Sequence, residues 1–168
     1  AEPLYRRALE GFKHAFGPAH PKTLRLVSAI HSLALHLFRK GEGTATEALL
    51  RLALKGNELA RSAASPFTLT CADLLAHLLN QQDRRLEAIQ LLRPYAFYWR
   101  EDETCVPAHD LAYNLACYEC LSGNEATAKD LLAEIINKLP EKKEQALADE
   151  DFASIREFIK TLPNPKND

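Results

Sequence analysis

The 168-residue sequence has no methionine, so it is either a fragment or a chain whose initiator was removed before the small Ala1. No apolar run approaches the ~18 residues a membrane-spanning helix needs, and no signal peptide opens the chain. Net charge is nearly absent. The formal value of −2 provides no global field for nucleic acid or for an anionic membrane. Catalytic signatures are missing too: there is no HExxH, no glycine-rich phosphate loop and no Ser/His/Asp order. That points to a non-catalytic chain without cofactor or metal. No stretch reads convincingly as a strand.

Cysteines are few: Cys71, Cys105, Cys117 and Cys120. Three of them fall inside helical patterns, which predicts reduced thiols and a cytoplasmic location. Cys117-Tyr118-Glu119-Cys120 has the spacing of a metal or redox pair. A structural zinc wants four ligands, no second such pair exists, and only His77 lies at a related position. The two thiols are read as small packing or groove residues, and Asp149-Glu150-Asp151 as a solvated helix start.

What is present is a helix-forming, self-similar chain. Apolar residues make up 46% and charged ones 26%, which suits a soluble folded protein. The stretch Ala1-Glu2-Pro3-Leu4-Tyr5-Arg6-Arg7-Ala8-Leu9-Glu10 returns in degenerate form from Thr46, Ala88 and Ala128, at spacings of 45, 42 and 40. Self-similarity at that period is the mark of a helical solenoid. Apolar periodicity predicts helices over 1–16, 22–40, 44–64, 67–82, 83–100, 107–121 and 126–139. Leu4, Tyr5, Ala8, Leu9, Phe12 and Phe16 mark the apolar side of the first; Leu26, Ile30, Leu33, Ala34, Leu37 and Phe38 that of the second. Thr44 with Glu47 reads as a capping box. Pro94 kinks or shortens the fifth helix, and residues 101–104 form a polar loop. A charged capping helix over 141–162, split near Asp149–Asp151, precedes a frayed tail at 163–168.

Three strings carry a resemblance to a known family. The first is the opening ten residues, followed by Phe16-Gly17-Pro18-Ala19-His20-Pro21 and Ser32-Leu33-Ala34-Leu35. The second is Tyr113-Asn114-Leu115-Ala116-Cys117-Tyr118 with Gly123-Asn124 and Ala128. The third is the ending Ala146-Leu147-Ala148-Asp149-Glu150-Asp151-Phe152. These resemble tetratricopeptide repeats, and the first unit is specifically similar to kinesin light chain. The resemblance implies an all-α solenoid of antiparallel helix pairs: an array of about three and a half repeats over 1–140, then the capping region. It implies small interhelix residues at Ala34, Ala76 and Ala116, and at Ala8 and Ala53. Departures at Glu119, Tyr95 and Ile135 imply looser or altered packing in the third unit.

The resemblance also implies a groove on the helix faces opposite the core. That face carries His31, Leu35, Phe38 and Arg39, then Asp73, His77, Asn80 and Gln81, then Asp110, Tyr113, Asn114 and Cys117. The chaperone-binding variant of the family clamps a carboxylate with Lys and Asn here, and only Asn114 would suit. Tyr98 and Trp99 are a candidate aromatic anchor. The implied function is an adaptor binding another protein: a tubulin-type cytoskeletal filament or an extended peptide. The alternative is a peripheral membrane-linking scaffold. The apolar side of the first helix is a candidate homodimer contact.

Overall fold

The structure is a computed structural model that describes residues 2–101 and 104–164. Residues 102–103 of the expected polar loop and 165–168 of the expected tail lie outside the described residues. Every regular element among the described residues is helical. The α-helices are α1 (Glu2–Phe16), α2 (Pro21–Arg39), α3 (Gly43–Ala60), α4 (Pro66–Gln81), α5 (Arg85–Leu92), α6 (Val106–Leu121), α7 (Glu125–Lys138), α8 (Lys142–Ala148) and α9 (Arg156–Thr161). Two 3-10 segments occupy Tyr98–Arg100 and Glu150–Ile155. No helix among the described residues is long and apolar enough to cross a membrane. The chain divides between Gln82 and Asp83 into two compact units, unit 1 (α1–α4) and unit 2 (α5–α9). The C-terminal region over 141–162 packs within unit 2 rather than standing apart.

Proline and positive-φ residues set the helix ends. Pro21, Pro66 and Pro107 sit in the first turns of α2, α4 and α6, where a missing N–H costs nothing. Gly41, Asp83 and Gly123 follow α2, α4 and α6 with φ of 76°, 60° and 82°. In the left-handed position the chain doubles back. Glu42 N then donates to Leu37 O (3.1 Å), and Asn124 N to Glu119 O (2.9 Å). The expected capping box does not form. α3 begins at Gly43, one residue before Thr44, and Glu42 stands at its N-cap with its carbonyl accepting from Thr46 Oγ1 at 2.8 Å.

In unit 1, Val27, Ile30, Ala34, Leu49, Leu50, Ala53, Leu69, Ala72, Leu75 and Ala76 form the centre. The expected apolar side of α1 is mostly outside. Only Leu9 is buried, Ala8 is exposed, and Leu4, Phe12 and Phe16 are 69, 36 and 41% exposed. α2 also deviates by one position: Val27 is fully buried, whereas Leu26, Leu33, Leu37 and Phe38 are half-buried.

α3 meets α2 closely at Gly56, where a Cβ would stand 2.8 Å from Val27 Cγ2 and 3.6 Å from Leu9 Cδ2. Alanine would raise helix propensity by about 1 kcal/mol. Overpacking against a buried β-branched neighbour costs about 1–3 kcal/mol, and Val27 is fully buried with a stiff χ1. Gly56→Ala is therefore expected to destabilise unit 1 in urea unfolding. Unchanged or higher stability would show that the α2–α3 contact gives way.

In unit 2, Pro94 shortens the predicted fifth helix: α5 stops at Leu92, and the chain turns before the 3-10 segment at Tyr98–Arg100. Packing in this unit is altered but not loose. Tyr95 and Ile135, which stand where the repeat pattern expects alanine, are buried. Glu119 is fully buried. It accepts from Arg93 Nε (3.1 Å) and Nη2 (2.8 Å) on one oxygen and from Asn124 Nδ2 (2.7 Å) on the other. Lys143 is buried as well. Its ammonium donates to Lys160 O (3.2 Å), Leu162 O and Asn164 Oδ1 (2.7 Å), using all three protons to close the end of α9.

Candidate functional site

The twelve expected groove residues divide between the two units and differ in what covers them. In unit 1 the exposed faces of α2 and α4 come together at one place. The Phe38 and His77 rings lie 5.7 Å apart, and His77 Nε2 is 3.1 Å from Gln81 Nε2, one turn on. Phe38 and Leu35 are half-buried; Arg39, His77 and Gln81 are exposed; Asp73 and Asn80 are half-buried on α4. The surface therefore offers an aromatic edge, an imidazole, an amide and a guanidinium. His31 lies deeper, with Nδ1 buried and without a hydrogen-bond partner. Burial lowers its pKa, which keeps the ring neutral. Close by, Arg61 holds Ser28 Oγ at 3.2 Å and lies 4.1 Å from the exposed Phe67 ring.

In unit 2 the corresponding strip is not open. Tyr113 and Cys117, expected to line the groove, are buried under the chain's own C-terminal segment. Tyr113 Oη donates to Asp149 Oδ2 at 3.0 Å, and its ring meets Phe152 edge-on at 5.5 Å. Cys117 Sγ lies 3.9 Å from the same Asp149 oxygen, and Cys120 Sγ lies 3.5 Å from Ser154 Oγ. One turn before Tyr113, Asp110 receives Lys142 Nζ at 3.3 Å. Residues 110, 113, 117 and 120 share one stripe of α6, and the segment from Lys142 to Ser154 runs along it. Of the expected unit 2 residues, Asp110 is exposed and Asn114 half-buried.

Burial, reinforced by neighbouring negative charge that includes Asp149, pushes the Tyr113 hydroxyl and Cys117 thiol upward. Both hold their protons, which is the opposite of what a nucleophile or metal ligand requires. Cys71 is likewise raised, to about 12, by burial and then by the charge of Glu58. All four cysteines are free and buried. Among the described residues no group of three or more His, Cys, Asp or Glu side chains is placed to hold a metal ion.

The aromatic anchor is corrected in the same way. Trp99 is fully buried, with His109 edge-on at 6.2 Å and the cations of Arg100 and Lys138 at 5.7 and 5.3 Å from its ring. Arg100 is itself tied to Glu134. Tyr98 is half-buried, and the exposed member of the run is Phe97, whose ring lies 4.4 Å from that of Tyr98 at a tilt of 35°.

Periodicity also gave no hint of a cleft of about 580 Å³ between α1 and α3. Ala48 and Leu52 line it among charged side chains that include Arg6, Lys13, Arg51 and Lys55. Its recorded ion pairs, Arg6–Glu2, Lys13–Glu10 and Arg51–Glu47, each run within one helix. No protein-family model matches the chain, and no curated protein matches it.

Proposed function

We propose that the chain is a non-catalytic, tetratricopeptide-type helical-repeat adaptor that holds a segment of another protein on the α2–α4 surface of unit 1. The observation that carries this reading is the juxtaposition of half-buried Phe38 with exposed His77 and Gln81 from two different helices. An aromatic ring beside exposed hydrogen-bonding groups suits an extended peptide, which needs an apolar anchor and partners for its backbone. The repeat reading is supported by the full burial of Ala34, Ala53, Ala76, Ala88, Ala116 and Ala128, and by positive φ at 41, 83 and 123, 42 and 40 residues apart. Small buried residues let helices approach closely. The similarity of the opening residues to kinesin light chain makes a tubulin-type filament the first partner to try. Four free thiols fit a reducing cytoplasm.

The test is selection from a displayed random-peptide library, followed by titration, with co-sedimentation on assembled tubulin filaments in parallel. Phe38→Ala combined with His77→Ala is expected to weaken a selected peptide by about tenfold or more, as loss of an anchor does. Peptides that bind the double variant as well as the native chain would place binding elsewhere. Failure to select any peptide, together with no pelleting, would remove the adaptor reading.

A further inference from the structure

The near-zero total charge conceals two opposite halves. Residues 1–82 hold ten Lys/Arg against six Asp/Glu, a formal +4; residues 83–168 hold eleven against seventeen, a formal −6. In unit 1 the excess is concentrated. Residues 11–41 contain no carboxylate, but they contain five Lys/Arg and four of the six histidines. α2 is the body of this stretch. Its fully buried side is Val27, Ile30 and Ala34. At 100° per residue the opposite side carries Lys22, Arg25, His36, Arg39 and Lys40, all exposed. Only the small Ala29 and Ser32 lie between them. Arg25, Arg39 and Lys40 have no ion pair among the described residues, whereas Arg6, Lys13 and Arg51 in the same unit are paired within their own helices.

Unit 2 sorts its charges the other way. Glu141-Lys142-Lys143-Glu144 reads as balanced in sequence, but the fold separates the signs. Lys143 is buried on the carbonyls that end α9, and Lys142 is turned toward Asp110 and Gln145. Glu141 and Glu144 stay exposed, three residues apart on one side, while Glu150 beyond them is paired with Arg156 at 3.2 Å.

We propose that the basic face of α2 is a docking surface for a second copy of this chain, which presents the outward carboxylates at the start of α8, Glu141 at its N-cap and Glu144 in its first turn. Arginine and lysine facing carboxylates form charge-assisted hydrogen bonds, and the opposite fields of the two units steer the encounter. The two surfaces differ, so the contact is heterologous and continues head to tail unless it closes into a ring. A lipid surface fits less well because this face of α2 has no large apolar side chain to insert. A long nucleic acid would also meet the −6 of unit 2.

Sedimentation velocity on the full chain tests this. Between about 10 mM and 150 mM salt the screening length falls from about 30 Å to about 8 Å, and self-association is expected to weaken at least tenfold. The variant Arg25→Glu/Arg39→Glu/Lys40→Glu should be monomeric at low salt, and so should Glu141→Lys/Glu144→Lys. Mixing the two reversed variants should restore association. Circular dichroism matching the native chain certifies each fold. A native chain that is monomeric at low salt overturns the proposal, as does a mixture that fails to associate. Association that is unchanged or strengthened by salt assigns the contact to the exposed apolar side of α1 and overturns it too. So does a monomer that co-sediments with phosphatidylserine vesicles.

Discussion

Replacing Arg93 with methionine is expected to destabilise unit 2 by about 3 kcal/mol, far more than loss of an exposed ion pair. The asymmetry of the pair is the reason. Arg93 keeps 58% of its side chain exposed, so bringing it to Glu119 costs little hydration. Glu119 has none of its side chain exposed and depends on Arg93 and Asn124 for everything water supplied. Without Arg93, the charge stays buried with one neutral donor. Arg84–Glu87 is the control, because both side chains are partly exposed at 35 and 49% and its loss should cost under about 1 kcal/mol. Adding Glu119→Gln to Arg93→Met should recover part of the loss, since the neutral amide needs no counter-charge. Trp99, the single tryptophan, is buried in unit 2, so its fluorescence in urea reports this unit directly. An Arg93→Met chain within about 0.5 kcal/mol of native would mean that Glu119 is not a buried charge sustained by Arg93.

Glu119 also shows where the sequence was legible and where it was not. A glutamate at an expected core position flags altered packing, but the residues that satisfy it lie 26 positions before and five after. Helix ends were easier to read, because proline and glycine act locally: Pro94 shortened a helix, and Gly41 and Gly123 closed two others. Four aromatics in five residues cannot share one stripe of an α-helix, so the sequence showed that part of the run is exposed but not which ring. The chain leaves the α-helix after Leu92, and the turn and 3-10 segment point Tyr95 and Trp99 inward and Phe97 outward. The capping-box pattern at Thr44 misled because a pattern of residue types does not fix which backbone carbonyl the helix first uses; here it is that of Glu42. Periodicity identified the apolar side of α1 without saying whether anything covers it. The candidate site failed in the same manner in unit 2. Repeat position places Tyr113 and Cys117 on a face, while the segment that buries them lies more than thirty residues away.

That cover leads to the second large expected effect. Phe152 is fully buried against the Tyr113 ring. Truncation to alanine is expected to cost unit 2 about 3–5 kcal/mol, combining lost transfer energy with the cavity left behind. Loss of that anchor should also lift the 149–155 segment from α6 locally, before the unit opens as a whole. Cys117 senses the difference. In the native chain its thiol is buried beside Asp149, and burial with nearby negative charge favours the unreactive protonated form. Labelling with a neutral thiol reagent, read by mass spectrometry of the Cys117 peptide, should accelerate at least about tenfold in Phe152→Ala. Cys71, buried in unit 1, should keep its native rate and serves as the internal reference. Asp149→Asn is the milder companion. It keeps the Phe152 contact and the burial that chiefly raises the thiol but removes one of the neighbouring charges that add to it, so a smaller acceleration is expected with stability nearly retained. If Cys117 labels no faster than Cys71 in either variant, the C-terminal segment is not what shields this stripe of α6. If it does accelerate, the α6 stripe is an internal surface of unit 2, and the open candidate surface is that of Phe38, His77 and Gln81 in unit 1.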